Sequence, residues 1–171
     1  VFKISLDKTD KDNYQKALQR TSDKILSERD KLPFRCATEF QFVLLKNITS
    51  QVFKHVALKS EAYRKWKLDR VGHTDFWVLD GDLINAIRVF RDGKGWMAGI
   101  PANVSDSGGK AMRGHGKSLP IVLYGKWLEY GNPRNNQPAR PVIRPTTKIY
   151  FATGFLKQIN ITTKEIGKQW R

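Results

Sequence analysis

Apolar positions along the chain keep a helical rhythm first, a β rhythm in the middle and a helical rhythm again at the end. Val1 to Leu6 alternates, with Phe2, Ile4 and Leu6 on one side and Lys3 and Ser5 on the other. That is the period of a half-buried strand, or of an arm that pairs only with a neighbour. From Asp10 to Lys31, Tyr14, Ala17, Leu18, Thr21, Ile25 and Leu26 recur at three and four, which predicts an amphipathic helix capped by Asp10 or Asp12. Pro33 breaks the pattern. A second and central helix is expected over Arg35 to Leu58, where Phe40, Val43, Leu44, Ile48, Val52 and Val56 share a stripe widened by Phe42, Leu45 and Phe53. Ser60 to Arg70 then reads as a helix that packs Tyr63 and Trp66 inward, the alternative being a basic face that stacks them on nucleic acid.

The period changes after Gly72. Phe76 to Leu79 are β-formers, an Asp80-Gly81-Asp82 turn comes next, and LINAIRVF places apolar residues near alternate positions. Arg91-Asp92-Gly93-Lys94-Gly95 carries the Asp-Gly dipeptide of a tight hairpin, with Trp96 to Ile100 as the returning strand. This middle part is read as an antiparallel meander. Asn103 to Ser118 has four glycines, three serines and almost nothing to bury, so a mobile loop is expected, bearing Lys110, Arg113, His115 and Lys117. Its glycines miss the phosphate-binding spacing by one residue, and no buried strand leads into them.

A helical rhythm returns with Tyr124, Trp127 and Leu128, predicting a short helix over Ile121 to Tyr130 that stops at Gly131. After the polar turn NPRNNQ, Pro138, Pro141 and Pro145 predict an extended rod with Arg140 and Arg144 projecting, and Glu129 is the natural partner for one of them. A last helix is expected at about Thr146 to Gln158, and ITTKEIGKQWR is a final strand or a helix extension. Together these elements give an α+β fold in a single domain over residues 1–171. An antiparallel β-sheet is flanked by two N-terminal helices and a C-terminal helix, with a long glycine-rich loop.

Charge changes this picture most, since 31 Lys and Arg oppose 16 Asp and Glu for a net +15. Residues 103–171 hold twelve bases and only Asp106, Glu129 and Glu165 as acids, a field that draws a polyanion or an acidic protein surface. No apolar run approaches the roughly 18 residues of a membrane span, and the N-terminus lacks a signal-like order, so a soluble, unexported protein with no membrane contact is expected. Cys36 reads as a buried thiol. His55, His73 and His115 are scattered, with no acid at ligand or triad spacing, so no enzyme, metal or cofactor is expected.

Leu128-Glu129-Tyr130-Gly131, the polar turn, and Pro138-Ala139-Arg140-Pro141-Val142-Ile143-Arg144-Pro145 leading into a helix together resemble the tail-completion and head-tail joining (neck) proteins of tailed bacteriophages. The order of the other elements is compatible, although Val142 stands where phenylalanine is common in that family. The resemblance implies a structural virion protein, assembled in the host cytoplasm, that forms a ring of about six copies at the head-proximal end of the tail. Such a ring caps the tail tube protein and docks to the head connector or stopper protein. The motif residues Trp127, Leu128, Glu129, Tyr130, Arg140, Pro141 and Arg144 are then expected at subunit or partner contacts, and Lys110, Arg113, His115 and Lys117 of the loop are expected to touch DNA non-specifically in the lumen. A nucleic-acid-binding module acting through the basic surface and the glycine-rich loop is the competing reading.

Overall fold

A computed structural model describes residues 7–53, 61–72, 74, 81–93, 95–104, 120–135 and 138–168. In them the protein is mostly helical with one small antiparallel sheet, an α+β arrangement. The elements are α1 (Lys8–Thr49), α2 (Glu61–Val71), α3 (Asp82–Ala86), β1 (Arg88–Asp92), β2 (Gly95–Gly99), α4 (Ile121–Tyr130), a 3-10 turn (Pro133–Asn135), α5 (Ile143–Ala152) and α6 (Gly154–Gly167). The strand or arm expected at Val1 to Leu6 and the β-formers Phe76 to Leu79 lie outside the described residues. So do His55, His73 and the whole of 105–119, which holds Lys110, Arg113, His115 and Lys117.

The two helices expected on either side of Pro33 are one helix of 42 residues. Proline removes a single donor, the one that would reach the carbonyl of residue 29, and Arg29 and Pro33 both lie on the solvent side. On the opposite side, contacts span the gap. Buried Glu28 accepts from Lys31 Nζ at 3.1 Å and from Arg35 Nη1 at 2.9 Å, tying the turn before the proline to the turn after it. The helix also starts earlier than expected, because Asp7 rather than Asp10 or Asp12 is the cap, its carboxylate accepting from the Asp10 N–H at 2.7 Å. It stops at Thr49, well short of Leu58. Gln51 takes the left-handed conformation at φ 49°, and Val52 N–H returns to the Asn47 carbonyl, a Schellman-type finish that turns the chain away.

LINAIRVF is not one strand. Gly81 at φ 83° opens the short α3, where Leu83 and Ala86, with Ile87 at its C-cap, are buried at helical rather than alternate spacing. Only Arg88 onward is β, and the expected meander reduces, among the described residues, to a single hairpin with Asp92 facing Gly95 and Arg88 facing Gly99. The hairpin falls where expected, although Asp92 is the last residue of β1, paired with Gly95, and Gly93 at φ 52° is the first residue of the turn. In α2, Lys67 is buried while Trp66 keeps 38% of its surface, so that aromatic is not packed inward as expected.

The core lies against the C-terminal half of α1. Leu44 and Ile48 meet Leu83 and Ala86 from α3, Ile87 just after it, Ile121 from α4 and Val142 just before α5, with Phe40, Ile100, Val104 and Leu128 packed around them. Polar bonds lock the same contact. Asn47 Nδ2 donates to the fully buried Thr146 hydroxyl at 3.0 Å, and Gln41 Nε2 donates to the Ile87 carbonyl at 2.9 Å.

The expected last helix is two. α5 begins at Ile143, before Pro145, and breaks at Thr153, after which α6 continues through the tail to Gly167. A side chain at Gly154 would run into the Tyr150 ring, and that ring cannot retreat. It is buried, and its hydroxyl donates to the Cys36 carbonyl at 3.0 Å beside Glu39. α6 then runs back along α1, with Lys157 and Gln158 meeting Glu39 and Glu165 lying within the field of Lys24 and Glu28.

Candidate functional site

The Leu128 to Pro145 motif folds as a joint between α4 and α5. Ile121, Gly125 and Glu129 sit four apart, so all three face inward on α4. Gly125 is where the helix passes closest, because a Cβ there would stand 2.7 Å from Ile100 Cδ1. Gly131 stops α4 at φ 84°, its N–H returning to the Trp127 carbonyl at 2.8 Å. Asn132 is buried and accepts from the Arg134 N–H at 3.2 Å, which shapes the turn.

Glu129 organises the start of α5. Its Oε2 accepts from the N–H groups of Val142 at 2.8 Å and Ile143 at 2.9 Å. Its Oε1 accepts from the Arg144 N–H at 2.8 Å and from Arg144 Nε at 3.1 Å. A helix start leaves its first N–H groups without intrahelical partners. Here Val142, Ile143 and Arg144 give theirs to the carboxylate, Pro145 has none to give, and Thr146 N–H already reaches the Val142 carbonyl at 3.0 Å. Every donor of the first turn is thereby satisfied. The charge also sits at the positive end of the α5 dipole, where an anion is favoured. With four donors on two oxygens the carboxylate has no remaining acceptor site, so it is a structural staple rather than a general base.

Arg144 completes the joint. Its Nη2 donates to the Glu129 main-chain carbonyl at 3.0 Å, and its guanidinium stacks 4.6 Å from the centre of the Tyr130 ring. Its side chain remains 54% exposed, and Tyr130 is 61% exposed. Arg140 differs from the expectation that it projects. Only 7% of it is exposed, because its N–H donates to the Leu128 carbonyl and draws the segment against α4. The proline rod is correspondingly short, covering 138–141 before the chain bends into α5. Pro141 and Trp127 are half-buried, and Leu128 is half-buried against the core. Of the residues expected at a contact, the structure therefore brings all seven to one joint and leaves Tyr130 and Arg144 as its exposed members.

No protein-family model, curated protein or solved structure matches the chain.

Two further polar clusters flank α1. Glu28, buried, is ringed by Lys24, Lys31 and Arg35. The hydrogen bond from Lys31, with the charge of Arg35 behind it, holds its carboxyl below the ordinary value of 4.5 against the opposing effect of burial. Glu165 is held low in the same sense by Lys168. A carboxyl whose folded pKa is depressed contributes stability that is complete above its unfolded value and is lost as pH falls through the folded one. The thermal midpoint is accordingly expected to fall as pH drops below 4.5, and Glu28→Gln to flatten that slope in a calorimetric pH series; an unchanged slope would show that Glu28 is not a source of the effect. The spacing of Lys24, Glu28, Lys31 and Arg35 is legible in the sequence, although its burial is not. Around Cys36, burial pushes the thiol up, away from the range of a nucleophile, and pushes the neighbouring Tyr150 hydroxyl up as well. Among the described residues no helix is long and apolar enough to cross a membrane.

Proposed function

We propose that the protein is a structural subunit of a phage neck, forming a ring, with six copies the expected number, at the head-proximal end of the tail. The reading is carried by the Leu128 to Pro145 motif, and the Glu129 joint gives that motif a physical purpose. It fixes the angle between α4 and α5 and presents the Tyr130–Arg144 stack outward as a rigid surface. A preset surface loses little entropy on docking, which suits a ring built from heterologous contacts, one patch against a different patch on the next copy. The ring caps the tail tube protein and meets the head connector, and the basic loop residues Lys110, Arg113, His115 and Lys117 face DNA in the lumen.

Because Arg140 is buried, the division of labour within the motif changes: Arg140 shapes the joint, and Tyr130 and Arg144 make the contact. The test is negative-stain imaging of the purified chain together with its mass in solution. Rings with a central hole support the reading, and monomers that never associate with virions overturn it. The net charge of +15 favours a second reading, a nucleic-acid-binding module. Tight, salt-insensitive recognition of one DNA sequence by a monomer would decide for it, whereas weak binding that collapses with salt fits a lumen lining.

A further inference from the structure

The first turns of α1 stand clear of the rest of the described molecule. Every residue from Lys8 to Arg20 is exposed, and the side-chain bonds of this stretch are local, such as Gln19 Nε2 to Asp23 and Thr21 Oγ1 to the Ala17 carbonyl. At about 1.5 Å per residue these thirteen residues project roughly 20 Å. Tyr14, Leu18 and Ile25, with Thr21 between the last two, nevertheless form an apolar stripe at four, three and four, 59%, 44% and 44% exposed for the three apolar members. Isolated helices of this length are marginal in water, so the stripe is of use when something covers it.

Charge identifies what does. Two copies of a chain at +15 repel over most of their surface, and a polyanion is drawn to most of it. Residues 7–28, which span the stripe, are different, since Asp7, Asp10, Asp12, Asp23 and Glu28 balance Lys8, Lys11, Lys16, Arg20 and Lys24. Residues 138–168, by contrast, hold six bases and only Glu165 as an acid. We infer that the stripe Tyr14, Leu18 and Ile25 of α1 is a contact between two copies of this chain, apolar against apolar, in a stretch where the copies carry no net repulsion. A nucleic acid or an anionic membrane has no reason to select a neutral stretch. An acidic protein would choose the α5–α6 face. A second copy finds charges of both signs beside the stripe to match its own. The inference deepens the ring reading by naming a place where copies meet, and one experiment separates the two.

The full chain is followed by sedimentation velocity over a dilution series, alongside the double variant Leu18→Glu, Ile25→Glu and the control Phe151→Glu, an exposed apolar residue on α5. The wild type is expected to self-associate, and the double variant to raise the dissociation constant about tenfold or more at unchanged helical circular dichroism. Phe151→Glu is expected to leave association unaltered. Should the double variant lose helicity, Leu18→Gln keeps helix propensity and is expected to weaken association in the same direction. A wild type that stays monomeric, association indifferent to the stripe variants, or association lost only in Phe151→Glu overturns the inference. Rings that persist in micrographs of the double variant overturn it while leaving the ring reading intact. Dimers that vanish in the double variant, with no rings formed by the wild type, do the reverse.

Discussion

Glu129→Ala is expected to lower the free energy of unfolding by about 3–5 kcal/mol, the largest effect of any single truncation in the motif. The change leaves the N–H groups of Val142, Ile143 and Arg144 without their acceptor and takes the carboxylate from Arg144 Nε, all in or beside a buried site. It also removes the negative charge from the start of α5. Arg144→Ala is expected to cost less, about 1 kcal/mol, because its side chain is half in water and the backbone donors keep their carboxylate. Equilibrium denaturation in urea measures both. A Glu129→Ala loss below about 1 kcal/mol would mean that water replaces the staple and that the angle between α4 and α5 is not fixed by it. In that event the rigid Tyr130–Arg144 surface loses its physical basis, whatever the protein's role.

Leu44→Ala is expected to cost about 3 kcal/mol, within the range for a fully buried leucine whose site cannot collapse. Leu44 has no exposed surface and joins α1 to α3, α4 and the start of α5. On the same helix, Leu18→Ala is expected to change the stability of the dilute monomer by no more than about 0.5 kcal/mol. The two leucines are alike in type and in their place on an apolar stripe. They differ in what lies opposite. Comparable losses at both sites would show that the first turns of α1 are packed against the monomer after all.

That pair also shows how far the pattern of residues reaches. Helical spacing is a property of one segment, so the helical character on either side of Pro33, α4 and the hairpin were legible, as was the stop at Gly131, whereas the unbroken run of α1 was not. Glu129 was legible as a partner for an arginine because it is an isolated acid among bases. Its main task was not, since capping α5 requires the chain to return on itself across a turn whose geometry no local spacing encodes. The same holds for Pro33. Its local preference is to end a helix, and that preference yields when Glu28, Lys31 and Arg35 bridge the gap from the far side. LINAIRVF misled for a related reason, because eight residues with apolar positions near alternation fit α3 followed by β1 as well as one strand.

Residue order alone sets the class of the protein: α+β, strongly basic, and carrying a motif in which a glycine stop is followed, after a polar turn, by a segment of three prolines and two arginines. These are matters of composition, local period and backbone restriction, each fixed by a residue and its near neighbours. Folding in three dimensions settles the rest: which part of α1 is core and which turns stand clear of the other described residues, that Arg140 turns inward while Arg144 stays at the surface, and that one carboxylate satisfies the whole start of α5. Those outcomes depend on which segments meet across tens of residues, where burial and the pairing of buried donors outweigh local preference.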